Sequence, residues 1–191
     1  YKIQTIKTLI ARTPDEADAI ASELGYPIVM KALSPQITHK SKIEGVILNV
    51  WSPSETKAFF EELAKRVKNY SSTAEFQGVI IQPMIHKKGY ELLIGSKKDP
   101  QFGSVIIFGV GGTATELFRD VNIGFPPLNQ VLARRLVENT AIYKHASLSG
   151  LPFNVKLLEE ILAKFSQLVI DFPEIKEIDI NPLIVDGSSA V

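Results

Sequence analysis

Hydrophobic positions along this chain change period several times, and each change marks an element. Thr13-Pro14-Asp15-Glu16 sets a capping hydroxyl, a proline at the first helical position and a glutamate three residues after the cap. Ala17, Ile20, Ala21 and Leu24 then recur at helical spacing, and Gly25 ends the run. The same opening returns at Ser52-Pro53-Ser54-Glu55, ahead of Phe59, Phe60, Leu63 and Val67, and predicts a helix to about Asn69. The two openings share capping chemistry only; the chain has no internal repeat or low-complexity tract. The continuous apolar run Ile28 to Leu33 predicts a buried strand, and Val46 to Trp51 a second. A polar connector at 69–74, with Ser71-Ser72-Thr73, divides a first lobe over 1–75 from a second over 76–191. Short strands follow at Val79 to Ile85, Tyr90 to Ser96 and Ser104 to Phe108, the first two joined by Lys87-Lys88-Gly89 as a hairpin turn. Helices are predicted over Gln130 to Ala146 and Val155 to Asp171, each behind an asparagine able to cap it. A strand over Ile175 to Val185 closes the pattern. Strands and helices mix without strict alternation, so the fold class is α+β and not a doubly wound sheet.

Composition narrows the function classes. Of 191 residues, 45% are hydrophobic, enough for packed cores. Acidic and basic residues balance at 21 each, which removes the general basic footprint of a nucleic-acid binder. No apolar run reaches the ~18 residues of a membrane span. The absence of cysteine excludes disulfides and thiolate metal sites and fits a cytoplasmic protein. The first residues, Tyr1 to Thr5, do not read as a signal peptide, and the chain stops at Ala190-Val191, in what reads as a strand; it is expected to be a piece truncated at both ends.

The residues able to do chemistry fall into few places. Alternation on the last strand puts Glu177, Asp179 and Asn181 on one face and Ile178 and Ile180 on the other. Three oxygen-bearing side chains in a row suit a hard cation such as Mg²⁺, or simply a solvated edge. Lys31 lies inside an apolar strand, where a cation needs a phosphate, a carboxylate or an outlet to solvent. Gly109-Val110-Gly111-Gly112 follows another apolar strand and is either an anion cradle or a plain turn; it lacks the spacing of a Walker loop or dinucleotide fingerprint. His39 stands on a polar, basic loop and has a free ring nitrogen at neutral pH, as a nucleophile needs. His86 and His145 read as surface residues. The strand end Gln82-Pro83-Met84-Ile85 can serve as a hinge that offers backbone groups to an adenine edge, or can simply stop at its proline. Glu91 can reach a ribose, a metal, or the nearby Lys87 and Lys88.

Together the segments GYPIVMKALSPQITHKS with Gly45-Val46, GVIIQPMI, YELLIGSKKDPQFG, VIIFGVGG with Glu116 and Asp120, and EIKEIDINPL resemble the nucleotide-binding (beta) subunit of ADP-forming acetyl-CoA or acyl-CoA synthetases. That resemblance implies an ATP-grasp fold with nucleotide between two α+β lobes. It implies reversible conversion of acyl-CoA, ADP and phosphate into acid, CoA and ATP, with Mg²⁺ and ATP/ADP as cofactors. A CoA-binding alpha subunit or domain would be the partner in a hetero-oligomer. By the same resemblance His39 carries the phosphoryl group, Asp179 stabilises it, and Lys31 holds nucleotide phosphates. Gln82, Pro83, Met84 and Ile85 line the adenine pocket with Glu91, Gly111 and Gly112 nearby, and Asn181 binds the metal. The HKS loop separates the chain from succinyl-CoA synthetase beta subunits; a non-catalytic nucleotide-sensing domain is the alternative from another class. The chain departs from the family pattern at three places. Glu44 precedes a single Gly45, no arginine occurs in 121–125, and Leu151-Pro152 stands where an Arg-Gly pair is usual. The family's second metal-binding aspartate would fall beyond Val191.

Overall fold

A computed structural model describes residues 1–37, 40–85, 89–112, 120–149 and 153–191. It divides into two compact units, Ile6–His86 and Tyr1–Thr5 with Lys87–Val191.

The amino-terminal unit contains β1 (Leu9–Ala11), α1 (Pro14–Leu24), β2 (Ile28–Leu33), a 3-10 turn (Lys40–Ile43), β3 (Val46–Val50), α2 (Pro53–Tyr70) and β4 (Gly78–Pro83). Its antiparallel sheet has the order β1-β4-β2-β3. Alternate strand residues Ile28, Met30, Ala32, Val79 and Ile81 pack against Ala17 and Ala21 of α1 and Leu63 and Val67 of α2. The two helices start alike. Thr13 Oγ1 accepts the Glu16 N–H at 3.2 Å, and Ser52 Oγ accepts the Glu55 N–H at 3.3 Å. Each glutamate reaches back one residue past the cap, to the N–H of Arg12 or Trp51, both at 2.7 Å.

The carboxy-terminal unit contains β5 (Tyr90–Asp99), β6 (Gly103–Val110), β7 (Val121–Gly124), α3 (Gln130–Glu138), α4 (Ala141–Ser149), α5 (Val155–Asp171) and β8 (Glu177–Val185). The sheet order is β7-β6-β5-β8, again antiparallel. Leu92, Ile94, Ile106 and Phe108 form one wall of its core, and Leu136, Leu158, Leu162 and Phe165 the other. Asn129 and Asn154 cap α3 and α5 by accepting the N–H of Leu132 at 2.9 Å and of Leu157 at 3.0 Å.

Four expectations change. The break between units falls at 86/87 and not 75/76, because β4 pairs with both β1 and β2 and so belongs with the first unit. β4 and β5 are not a hairpin: they lie in different sheets, and Lys87 and Lys88 are outside the described residues. The helix predicted over Gln130 to Ala146 is two helices. Asp120 takes the Ala141 and Ile142 N–H groups on its two carboxylate oxygens, both at 2.8 Å, and Thr140 Oγ1 accepts the Tyr143 N–H at 3.2 Å. This second cap restarts the helix inside an unbroken apolar period. Two short strands, β1 and β7, carry too few residues to show a period.

Candidate functional site

In β2 the residues facing the helices are Ile28, Met30 and Ala32; Val29, Lys31 and Leu33 face the other way. Lys31 lies opposite Ile80 of β4 on one side and Val46 of β3 on the other, and Ile80 lies opposite Ile10 of β1. One row across the sheet therefore reads Ile10, Ile80, Lys31, Val46, a single cation in an apolar strip. Among the described residues no carboxylate pairs with it. Burial, and then the charge of Lys40, hold the Lys31 ammonium below the usual lysine range. A partly desolvated cation without a counter-charge is what an anionic ligand stabilises.

The segment after β2 is pegged on both sides of its histidine. Ile37 and Ile43 are 5% and 8% exposed and belong to the same core as β2. The Ala32 N–H donates to Gly45 O, and the Gly45 N–H to Lys40 O, both at 2.8 Å. His39 itself lies outside the described residues, as do His86 and Glu116.

The strand end proposed to frame adenine is half-buried, but its backbone is partly committed. The Met84 N–H donates to Pro27 O at 2.9 Å, so it is not free to meet a base edge. Pro83 pairs opposite Ile28, and Gln82 Nε2 donates to Thr8 Oγ1 at 2.8 Å. Ile85 follows, half-buried.

In the carboxy-terminal unit, exposure along β8 alternates as the sequence predicts. Glu177, Asp179 and Asn181 are exposed, while Ile178 and Ile180 pack on the core. Then the parity flips: Leu183 and Val185 face the core. Ile180 pairs with Ile94 and Leu183 with Leu92, so Asn181 and Pro182 together oppose Leu93 in a β-bulge. Bulges re-aim side chains, and this one places Asn181 beside the end of β6. Asn181 Oδ1 accepts the Gly112 N–H at 2.8 Å, and the Gly111 N–H donates to Glu91 O at 2.8 Å.

Those bonds revise the role of the glycines. Both N–H groups are used inside the unit, tying β6 to β5 and β8, and neither forms an outward cradle for an anion. What the glycines supply is room. A Cβ on Gly111 would stand 2.3 Å from Leu92 O. One on Gly112, at φ +64°, would stand 1.8 Å from Glu91 Oε2. The Glu91 carboxylate and the Asn181 amide thus converge on Gly112, with Asp179 two residues along the same face of β8.

No cluster of three or more His, Cys, Asp or Glu among the described residues is arranged to hold a metal alone. The donors present are one carboxylate and one amide oxygen with a second lone pair. They suit Mg²⁺, which uses few protein oxygens and completes its shell with water and phosphate. Asp120, grouped with the glycines by sequence, caps α4 instead.

The ATP-grasp domain family matches residues 1–191, and the chain belongs to that nucleotide-handling family. Within it, the chain is similar to the beta subunit of ADP-forming acetate–CoA ligase II from Pyrococcus furiosus. The two are 40% identical over 198 residues, 100% of this chain and 83% of the relative. Among solved structures it is similar to the dinucleotide-forming acetyl-coenzyme A synthetase 1 of Ca. Korarchaeum cryptofilum. In complex with coenzyme A and Ca-AMPCP, that protein superposes with a TM-score of 0.88 at 31% identity, covering 98% of this chain and 82% of that one. A second structure of it, with coenzyme A and Mg-AMPPCP and its phosphohistidine segment pointing towards the nucleotide binding site, gives 0.76 at 28% identity, covering 99% and 82%.

Proposed function

We propose that this chain is the nucleotide-handling subunit of an ADP-forming acid–CoA ligase, passing a phosphoryl group between His39 and ADP. The net reaction converts acyl-CoA, ADP and phosphate into acid, CoA and ATP. In this chain's step, the P–N bond to His39 breaks as a terminal phosphate oxygen of ADP forms the new P–O bond.

The observation that carries the reading is Lys31, a partly buried cation with no carboxylate partner among the described residues, on an apolar sheet face. Nucleotide phosphates supply the missing counter-charge. Glu91 and Asn181 hold Mg²⁺, which when bound neutralises phosphate charge. Asp179 has the role of steadying the phosphohistidine's imidazolium as the phosphoryl group leaves. Gln82, Pro83, Met84 and Ile85 contribute side chains to the adenine pocket, with Gly111 and Gly112 giving the space in which Glu91 and Asn181 meet. Transfer of this kind needs positioning and charge neutralisation more than covalent chemistry from the protein. The acyl and CoA chemistry belongs to a CoA-binding alpha subunit in a hetero-oligomer in the cytoplasm. Among the described residues no helix is long and apolar enough to cross a membrane.

The test is labelling. With its partner and Mg²⁺ plus γ-labelled ATP, the chain acquires an acid-labile label that His39→Ala removes while nucleotide binding persists. Label that survives the substitution assigns the chemistry elsewhere.

A further inference from the structure

The segment carrying His39 ends on a residue that the backbone accepts reluctantly. Glu44 sits at φ +50°, in the left-handed region, where a Cβ is disfavoured and glycine is at ease. Something must hold a glutamate there, and the group in place is Arg66, reaching across from α2. Its guanidinium donates to the main-chain carbonyl of Glu44. It also donates to Glu62 Oε1 at 2.5 Å, and it lies 3.8 Å from the Glu44 carboxylate. The fixed fork of guanidinium donors permits these contacts at once, which a lysine ammonium cannot copy. The turn beneath is closed by the Glu44 N–H on Ser41 O at 3.2 Å and the Gly45 N–H on Lys40 O at 2.8 Å. Ile43 drives the turn into the core.

We infer that Arg66 is a positioning residue for phosphoryl transfer: it fixes the turn that follows His39 to α2 at Glu44. The inference rests on the reading of His39 as the phosphoryl carrier. A histidine that must present one ring nitrogen in line with a phosphate depends on where its segment is fixed, and in-line transfer punishes small displacements. Arg66 also answers the charge problem that Glu44 creates. A carboxylate five residues from a phosphorylated side chain repels it, and the nearby guanidinium offsets that charge.

The experiment uses the complete enzyme with its partner. Arg66→Gln is expected to lower kcat for phosphoryl transfer about tenfold while KM for Mg·ATP stays within about twofold. Amide exchange over Ser41 to Gly45 quickens in the same variant. Arg66→Lys recovers part of the rate. Glu44→Gly keeps the carbonyl that Arg66 holds and retains kcat within about twofold. An unchanged kcat in Arg66→Gln overturns the inference, as does a parallel fall in kcat and KM accompanied by lower thermal stability. If Arg66→Gln does not fold, Glu62→Gln loosens the same guanidinium and is read by the same split. His39→Ala keeps the two readings apart: persistent label in that variant removes the carrier role, while the exchange rates still decide whether Arg66 holds the segment.

Discussion

The two sheets are alike in strand number and direction and unlike in what they present away from their helices. In the amino-terminal unit that face is apolar around one cation, Lys31 in the row with Ile10, Ile80 and Val46. In the carboxy-terminal unit it is divided. Ile107 and Ile123 meet across β6 and β7, while Glu91, Glu177, Asp179 and Asn181 line β5 and β8. The helix-facing sides are ordinary cores, filled with similar aliphatic residues. Specialisation is thus confined to one side of each sheet: one offers a positive charge of low solvation, the other hard oxygen donors.

Breaking the donor face has the largest expected effect. Asp179→Asn should slow phosphoryl transfer about 1,000-fold with the Kd for Mg·ATP unchanged. Single-turnover labelling beside calorimetry checks it, and a matching loss of affinity would make Asp179 a metal or folding residue instead. Breaking the cation face comes next. Lys31→Met should weaken Mg·ADP binding about 100-fold, the loss of a charge-assisted phosphate contact. The same change should stabilise the unliganded protein at neutral pH, since it removes a desolvated charge. The sign can be followed with pH. Burial holds the folded pKa of Lys31 below 10.5, so between the two values the unfolded chain binds more protons. Stability then rises with pH across that alkaline window and falls as pH drops through the folded pKa. Urea midpoints should show this slope in the parent and a flatter one in Lys31→Met.

Smaller changes sharpen the contrast. Gly112→Ala should push Glu91 away from Asn181 and raise the Mg²⁺ concentration needed for half-maximal transfer about tenfold, at a stability cost of about 1–2 kcal/mol. A normal Mg²⁺ dependence would show that Glu91 does not serve the metal. The capping variants Thr13→Ala and Ser52→Ala should each cost about 1 kcal/mol and leave transfer untouched. Their effects on denaturant midpoints should add, as the caps belong to separate helix starts.

Much of this was legible because the signals were local. Helix starts at Thr13 and Ser52, asparagine caps at 129 and 154, and the alternating face of β8 all follow from a few adjacent residues. What escaped depends on partners distant in sequence. Asp120 caps a helix that starts 21 residues later, and nothing near Thr140 announces a break. β4 reads equally well as either half of a hairpin until its pairing with β2 is known. The glycines at 111 and 112 read as an anion cradle or a plain turn; only the fold reveals that Leu92 and Glu91 stand where their side chains would be. Arg66 carried no mark in the sequence, whereas the oddity that it resolves, Glu44, did.

The bulge at Asn181 and Pro182 gives β8 two reading frames. Up to Ile180 the even-numbered residues belong to the core; from Leu183 the odd-numbered ones do. Removing a single residue at 181 or 182 would force one frame on the whole strand. Ile178, Ile180, Leu183 and Val185 would then all share the core face, and Glu177 and Asp179 would keep the other. A deletion there would therefore keep the core and disturb the contact between Asn181 and Gly112 that the bulge places. Any graft of this strand that is to present Asn181 to a neighbouring backbone must carry the extra residue with it.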